Sequence, residues 1–182
     1  KEVNKIGSGP QIVVSRADNN FLRRLFEIEI PEIYDGIIEI KGIAREPGER
    51  AKIAVESQDT RIDAVGACVG MKGVRIHAIV RELNNENIDV INYTDDPTLY
   101  IQRSLAPAKI KLIEVDEEAK KASVTADSDQ VSLIVGRNGV NIRLAMKLTG
   151  YEVDVLREEK PFEEYDEDIE LIDLKEELGV EV

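Results

Sequence analysis

A short phrase occurs twice in this chain, as VGMKGVRI at residues 69–76 and as VGRNGVNI at residues 135–142. The first valine, both glycines, the second valine and the isoleucine occupy the same places in the two copies. Each copy follows a strand–turn–strand pattern and precedes an apolar helical stretch and a short strand. Recurrence of a whole supersecondary unit indicates a duplicated architecture more strongly than a single motif does. The chain is therefore predicted to contain two similar units, each with a glycine-flanked dipeptide at the start of a helix.

Both units are predicted to run helix, strand, strand, helix, helix, strand, which is an α+β pattern. In the first unit, Asp18 caps a helix, Pro47-Gly48 separates two alternating strands, and Gly70 interrupts the next helical stretch. In the second unit, Asp96-Pro97 begins a helix and Gly150 ends the last one. The predicted segments are a linker at residues 1–17, the two units at residues 18–95 and 96–157, and an acidic tail at residues 158–182.

Composition excludes several classes of chemistry. Cys68 and His77 are the only cysteine and the only histidine among 182 residues, so an intrachain disulfide and a cysteine-based zinc site are ruled out. Cys68 lies in an apolar run, where we expect a small buried thiol. We therefore expect no enzyme, no catalytic residue, no cofactor and no metal. Because the chain has no apolar run near 18 residues and does not start like a signal peptide, we expect a cytoplasmic protein without a membrane span.

Charge is unevenly distributed along the chain. The formal net charge is −13, but residues 157–182 hold 12 acidic and three basic residues, so −9 of it lies at that end and −4 in the rest. Screening limits the reach of a charge to about 8 Å at physiological salt, so local basic clusters can still bind phosphate. The acidic total does not exclude nucleic acid. The tail itself is predicted to be a solvated linker, with a partner-binding helix as the alternative.

The glycine-flanked loops are suited to binding phosphate. Glycine at both ends lets the chain turn sharply and removes the Cβ that would hold another backbone away. The helix that follows begins with N–H groups that lack an intrahelical partner, a favourable place for an anion. One cation lies inside each loop, and more follow along each second helix. The candidate contacts are Gly70, Met71, Lys72, Gly73, Arg75 and His77 in the first unit, and Gly136, Arg137, Asn138, Gly139, Arg143 and Lys147 in the second. The predicted apolar floor for bases is Ile76 with Val55 and Ile142 with Val124.

A single G-x-x-G between two helices is usually only a tight connection, and basic residues on a helix are usually solvated. Duplication with a cation inside each loop favours ligand binding. An enzyme that uses such a loop for a nucleotide would be expected to show G-x-x-x-x-G-K-[ST] or a strand-linked G-x-G-x-x-G, and neither occurs at these loops. A structural interaction module without RNA affinity stays open as an alternative.

The phrase V-G-x-x-G-x-x-I in this element order resembles the type II KH domain, whose GXXG loop clamps four nucleotides. The neighbouring stretches SRADNNFLRRLFEIEIPEIYDG, VGACVGMKGVRIHAIVREL and DPTLYIQRSLAPAKI resemble the tandem KH pair of the NusA family of bacterial transcription elongation and termination factors. The resemblance covers residues 11–156. It implies in each unit a three-stranded sheet with helices packed on one face, and an OB-type domain upstream of residues 1–17.

The resemblance also implies a function. It predicts a non-enzymatic module that binds nascent single-stranded RNA and acts in transcription pausing, termination and antitermination. RNA polymerase and other antitermination factors are the implied partners, largely through domains outside this chain, which is expected to be a monomer. Because residues 94–97 join the units closely, the two clefts are expected to hold one extended strand. A KH unit of a ribosomal or ribosome-assembly protein is the alternative, although two units in tandem and the acidic balance argue against it.

Overall fold

The computed structural model describes residues 2–6 and 9–158. A hairpin of β1 (Glu2–Ile6) and β2 (Gly9–Val13) comes first. The first unit contains α1 (Asn19–Glu29), α2 (Pro31–Tyr34), β3 (Ile38–Glu46), β4 (Arg50–Ser57), α3 (Ala64–Val69), α4 (Val74–Glu82) and β5 (Asn87–Asn92). The second unit contains α5 (Pro97–Ser104), β6 (Leu112–Asp116), β7 (Lys121–Asp127), α6 (Ser128–Val135), α7 (Val140–Thr149) and β8 (Glu152–Glu158). The predicted order is confirmed, with the short helix α2 added to the first unit.

Local sequence signals explain where the helices begin and end. The carboxylates of Asp18 and Asp96 each accept a hydrogen bond from the backbone N–H two residues further on, which makes both of them helix caps as predicted. Pro31 follows the end of α1 and begins α2, because proline at the first helical position gives up no intrahelical hydrogen bond. Gly150 ends α7 in the left-handed conformation, also as predicted.

Each unit has one three-stranded sheet with the same topology. The middle strand β4 pairs antiparallel with β3 and parallel with β5. In the second unit β7 pairs in the same way with β6 and β8. A parallel pair needs a crossover connection, and the two helices around the glycine loop supply it. The glycine loop therefore lies at the same place in each unit, in the middle of the crossover.

Each unit has its own core between its sheet and its helices. In the first unit, Leu22 and Phe26 of α1 pack with Ile53 of β4, and all three are fully buried. In the second unit, Ile101 of α5 packs with Val124 of β7 in the same way. The predicted α+β architecture, with helices packed on one face of each sheet, is confirmed.

The other face of the first sheet is covered by the second unit. Small residues on that face, Gly42, Ala44 and Ala54, allow close packing. Leu144 and Leu148 of α7 fill the space above them, and a Cβ added to Gly42 would lie 3.0 Å from Leu148 Cδ1. The strand β4 is consequently buried on both faces along most of its length. The two units are packed against each other and are not only joined by residues 94–97.

A buried lysine reinforces the contact between the units. Lys52 of β4 has no exposed surface. Its Nζ donates to Asp89 Oδ2 at 2.9 Å and to the backbone oxygen of Ala106, in the second unit, at 3.4 Å. Burial lowers the pKa of Lys52, while the neighbouring Asp89 carboxylate favours the charged ammonium. Lys52 thereby connects the middle of the first sheet to the loop after α5.

Candidate nucleic-acid interface

The two glycine loops, residues 70–73 and 136–139, have nearly the same backbone conformation. Gly70 has φ 74° and ψ 169°, and Gly136 has φ 73° and ψ 175°. At the other end, Gly73 has φ 78° and ψ 13°, and Gly139 has φ 73° and ψ 12°. All four φ values fall where side chains other than glycine are disfavoured. The repeat seen in the sequence is therefore also a repeat of backbone geometry.

The inner dipeptide of each loop projects into solvent. Met71 is 85% exposed, and Lys72, Arg137 and Asn138 are exposed as well. Lys72 and Asn138 share a positive φ, 54° and 52°, a conformation that is uncommon outside glycine and that asparagine adopts more readily than lysine. Each loop therefore presents one of the predicted cations at an exposed position before its second helix.

Each loop is closed by a backbone hydrogen bond between its two glycines. The N–H of Gly73 donates to the oxygen of Gly70 at 3.0 Å, and the N–H of Gly139 donates to the oxygen of Gly136 at 3.2 Å. Each loop leads directly into a helix, α4 or α7, whose first turn carries the positive end of the helix dipole. A phosphate at either loop would therefore meet both a favourable dipole and an exposed cation.

A polar side chain lies against the last glycine of each loop. A Cβ added to Gly73 would lie 2.9 Å from His77 Cε1, and one added to Gly139 would lie 2.9 Å from Arg143 Nη1. His77 and Arg143 occupy the same place in the repeat, four residues after that glycine. The structure thus brings both predicted residues next to their loops, where glycine is also needed to make room for them.

Arg75 and Asn141 share another place in the repeat and bind the helix that precedes each loop. Arg75 Nη1 donates to the backbone oxygen of Ala67 at 2.8 Å, and Asn141 Nδ2 donates to that of Leu133 at 3.1 Å. Such carbonyls near a helix end need partners from outside the helix. Arg75 also pairs with Glu32 at 2.9 Å, so its guanidinium is engaged within the unit. Asn141 was not predicted as a site residue, although its alignment with Arg75 in the repeat was a usable signal.

Arg143 and Lys147 contact the first unit. Arg143 Nε and Nη2 each lie 3.0 Å from a carboxylate oxygen of Glu46, at the end of β3, and Lys147 Nζ lies 3.4 Å from the same carboxylate. Arg143 Nη1 also donates to the backbone oxygen of Asn138 in the loop. Hydrogen bonds from Arg143 hold the pKa of Glu46 below its ordinary value of 4.5, so the pair is ionised at neutral pH. Arg143 consequently links the second loop to the first unit.

The predicted floor for bases is wrong in part. Val55 and Val124 are fully buried, and Ile76 is 9% exposed, so these three side chains belong to the cores. The alternation of the strands correctly indicated apolar inner faces, but those faces are covered by the unit's own helices. Ile142 is half-buried. The exposed apolar surface beside the first loop comes instead from Val74, which is 67% exposed.

Comparison with known proteins agrees with this geometry. Residues 16–93 match the NusA-like first KH domain, and residues 97–163 match the NusA-like second KH domain. The chain belongs to the NusA-like KH-domain family. The first and second units are its first and second KH domains and are called so from here on. The resemblance inferred from the repeated phrase is confirmed.

Full-length relatives give the same result. The chain is 50% identical over 153 residues to the transcription termination/antitermination protein NusA of Thermus thermophilus, 48% over 157 residues to that of Bacillus subtilis, and 41% over 190 residues to that of Rickettsia prowazekii. These alignments cover 84%, 86% and 98% of this chain but 40%, 42% and 38% of the relatives. The chain thus spans about two fifths of the length of these NusA proteins.

A solved structure shares the fold of the KH pair at low sequence identity. The crystal structure of APE1850 is similar with a TM-score of 0.52 and 22% identity, covering 75% of this chain and 96% of that one. Similarity at this level concerns the arrangement of helices and strands.

Within residues 2–6 and 9–158, no helix has the length and apolar character needed to cross a membrane.

Cys68 lies inside the first KH domain, two residues before the first loop. Its side chain is fully buried, and this burial raises the pKa of the thiol to about 12. A thiol with such a pKa supplies almost no thiolate at neutral pH, so it is a poor nucleophile. The interpretation of Cys68 as a small buried thiol is confirmed.

Replacing Gly136 by alanine tests the packing of the second loop in the KH domain. The added Cβ would lie 2.7 Å from Asn141 Cβ and 3.1 Å from its backbone nitrogen, at a φ that already disfavours alanine. We expect Gly136→Ala to lower the free energy of unfolding by about 2–3 kcal/mol, measured by urea denaturation. Gly150→Ala is the matched control, since Gly150 has φ 78° but no atom within 4 Å of the added Cβ. It should cost about 1 kcal/mol, and equal losses in both variants would contradict the close packing at Gly136.

Proposed function

We propose that this chain binds single-stranded RNA through the two glycine loops, as the KH pair of a transcription termination/antitermination factor. One observation carries the proposal: the same loop conformation occurs twice, each time with an exposed cation before the start of a helix. A phosphate is the anion that recurs along a nucleic-acid strand, so two equivalent anion sites suit one strand. GXXG loops of KH domains clamp about four nucleotides through the backbone.

Each loop would contact the sugar–phosphate backbone of the RNA strand. Lys72 and Arg137 would approach phosphate oxygens, and the loop glycines would let the strand come close to the protein backbone. His77 lies beside the last glycine of the first loop and would border the next phosphate. Arg143 lies beside the last glycine of the second loop and would act mainly by positioning that loop, because its guanidinium already binds Glu46 and the Asn138 backbone oxygen. Arg75 would act mainly by positioning the first loop, because its guanidinium already binds Glu32 and the end of α3.

The two loops would act on one strand because the domains are packed together. The helix α7 begins at the second loop, and its Leu144 packs against Ala44 of the first sheet. The ion pair between Arg143 and Glu46 adds a polar contact close to the loop itself. Displacing the second loop from the first domain would break both contacts. Two weak sites held in this way gain affinity through effective concentration.

The NusA relatives suggest where this binding would be used. They are named as transcription termination/antitermination proteins, so we propose nascent RNA as the ligand and a non-enzymatic, cytoplasmic role for the chain. RNA polymerase and other antitermination factors would be reached mainly through parts of the factor outside this chain. We propose that the KH pair works as a monomer, since its two sites lie on one chain.

The salt dependence of RNA binding tests phosphate recognition. For single strands, the logarithm of affinity falls with the logarithm of salt concentration by about 0.7 for each phosphate neutralised. With at least one phosphate at each loop, we expect a slope of about −1.4 or steeper, measured by fluorescence anisotropy on strands of about 12 nucleotides. The variant Lys72→Asn should make the slope shallower by about 0.7, because it removes one cation and keeps a side chain that tolerates positive φ.

Lys120→Asn is the matched control for this titration. Lys120 also has φ 54° and is exposed, but it lies in the turn between β6 and β7, near the end of α7 that is remote from the loop. Its replacement should leave the slope unchanged. Equal effects of the two substitutions would show that the cations act through net charge alone, and a flat salt response in the unaltered chain would overturn the proposed function.

A further inference from the structure

A cleft separates the second glycine loop from the first KH domain. It has a volume of about 400 Å³. One wall comes from the turn between β3 and β4 and from the start of β5, including Arg50, Asn85 and Asn87. The other comes from the second loop and the start of α7, including Arg137 and Asn138. The cleft therefore exists only because the two domains are packed together, and it opens beside a loop that is proposed to hold RNA.

The walls of the cleft carry groups that recognise bases. Side-chain amides come from both domains, and an amide can donate and accept hydrogen bonds at the edge of an unpaired base. Arg50 is fixed in orientation, since its Nε and Nη2 bind the two carboxylate oxygens of Asp89 at 2.8 and 2.9 Å. A planar guanidinium held in this way is a surface on which a base can stack.

A carboxylate lines the cleft together with two arginines. Asp89 is shared by Arg50 and the buried Lys52, and Glu49 lines the cleft on the same wall as Arg50. A phosphate inside the cleft would be repelled by Glu49, while a base would not. The phosphate sites are outside, at the exposed face of the loop, so a base turned inward would leave its phosphate near Arg137.

The floor of the cleft contains an acceptor without a donor. Asn141 lines the cleft and is 1% exposed. Its Nδ2 is satisfied by backbone oxygens, but among the residues that the structure describes its Oδ1 has no hydrogen-bond partner. A buried acceptor of this kind costs free energy until a donor reaches it. Because Oδ1 is itself buried, Asn141 contributes to the cleft as part of its lining and not as a group that contacts the base.

The wall on the first domain is held in place by buried contacts. Glu86 Oε2 accepts a hydrogen bond from the N–H of Gly48 at 2.8 Å, and the same carboxylate pairs with Arg45 inside the protein. The N–H of Asn87 donates to the backbone oxygen of Glu49 at 3.2 Å. These contacts, and not the side-chain amides of Asn85 and Asn87, fix this wall, so the two amides can be removed without dismantling it.

We propose that this interdomain cleft binds one unpaired nucleobase of the RNA strand, at the point where the strand passes between the two KH domains. The inference rests on the proposed function, and it adds a base-recognition site to the two backbone sites. Asn85 and Asn87 read the edge of the base, and Arg50 stacks on its face. Base recognition thereby depends on the packing of the domains, not on either domain alone.

An abasic scan tests this proposal. The probe is a strand of about 12 nucleotides, long enough for two four-nucleotide sites, selected from a random pool for binding to this chain. Each nucleotide in turn is replaced by an abasic one, and the affinity is measured by anisotropy. We expect one position between the two sites at which loss of the base weakens binding about tenfold. In the variant Asn85→Gly this penalty should fall to less than about twofold, and Asn87→Ala should reduce it as well.

Asn84→Gly is the matched control. Asn84 and Asn85 are adjacent, exposed and both at positive φ, 54° and 66°, so glycine suits either position, but only Asn85 lines the cleft. The abasic penalty should be retained in Asn84→Gly. A penalty that persists in both Asn85→Gly and Asn87→Ala, or the absence of any sensitive position between the sites, would overturn the cleft proposal. Failure of the pool to yield any binding strand would instead overturn the proposed function on which it rests.

Discussion

Two aspartates in each glycine loop are expected to abolish binding of single-stranded RNA. The substitutions Met71→Asp and Lys72→Asp, together with Arg137→Asp and Asn138→Asp, place carboxylates where the phosphates are proposed to bind. They also remove the exposed cation of each loop. Like charges at close range cost affinity, and the gain from linking two sites is lost together with the sites. Anisotropy titrations with a strand of about 12 nucleotides should show no saturation.

Altering one loop should have an intermediate effect. With one loop intact, the strand is held at a single site, and the 10²–10⁴-fold advantage of linked sites disappears. We therefore expect each single-loop variant to bind about 100-fold or more weakly than the unaltered chain. If one single-loop variant bound as tightly as the unaltered chain, the altered loop would have no part in RNA binding.

The loop variants should remain folded, which makes their loss of affinity interpretable. Positions 72 and 138 have positive φ, a conformation that aspartate adopts more readily than most residues. The matched control replaces Met71 by Arg and Lys72 by Asn, so that the first loop carries the dipeptide of the second without a carboxylate. This control should bind RNA as the unaltered chain does. A control that lost affinity as strongly as the aspartate variant would indicate damage to the loop and not repulsion of phosphate.

The largest effect on stability is expected from Glu86→Ala. The Glu86 side chain is 1% exposed and that of Arg45 is 3% exposed, and the two are joined by hydrogen bonds of 2.6 and 2.9 Å. Arg45 also donates to the backbone oxygens of Arg16 and Asp18. Removal of the carboxylate leaves a guanidinium buried without its counter-charge. We expect a loss of about 3–5 kcal/mol in the free energy of unfolding, measured by urea denaturation.

Glu82→Ala is the matched control for this prediction. Glu82 also pairs with an arginine, Arg16, at 3.0 Å, but the two side chains are 52% and 60% exposed. Solvent screens such a pair, so its removal should cost less than about 1 kcal/mol. If Glu86→Ala cost no more than Glu82→Ala, the buried pair would not be what fixes the turn between β3 and β4. That turn is also one wall of the interdomain cleft, so the variant should lose the base discrimination proposed there.

The sequence predicted the parts of the fold that depend on local signals. Helix caps at Asp18 and Asp96 and the interruption at Gly70 act within a few residues, so their effect is readable without tertiary information. The repeated phrase added the long-range information, because two copies of one unit constrain each other. The hairpin of β1 and β2 lies within residues 1–17, which the sequence predicts to be a linker, because the pairing of two short strands is not visible from local signals.

The packing of the two domains could not be predicted from local patterns. Along β4, Ile53 and Val55 face the first core, as the alternation indicates, and Lys52 and Ala54 lie on the opposite side of the strand. They are buried because α5 and α7 cover that side of the sheet. In the sequence, Gly42 looks only like a break in a strand. The structure shows that glycine is needed there because Leu148, far along the chain, packs against it.

The sequence predicted which residues lie at the candidate site better than it predicted what each of them contacts. The loop residues lie where the sequence placed them, and His77 and Arg143 lie beside them. Arg75 has an internal acidic partner that its position on a helix did not reveal. Asn141 is an uncharged residue outside the loop, and the role of a buried amide is recognised only from its burial and hydrogen bonds.

The central claim is that both glycine loops hold one RNA strand at the same time. Titration of the isotopically labelled chain with a strand of about 12 nucleotides, followed through backbone amide signals in NMR spectra, tests it most directly. The signals of Gly70, Gly73, Gly136 and Gly139 should shift together and reach saturation at one strand per chain. Shifts confined to one loop, or saturation at two strands per chain, would contradict the claim.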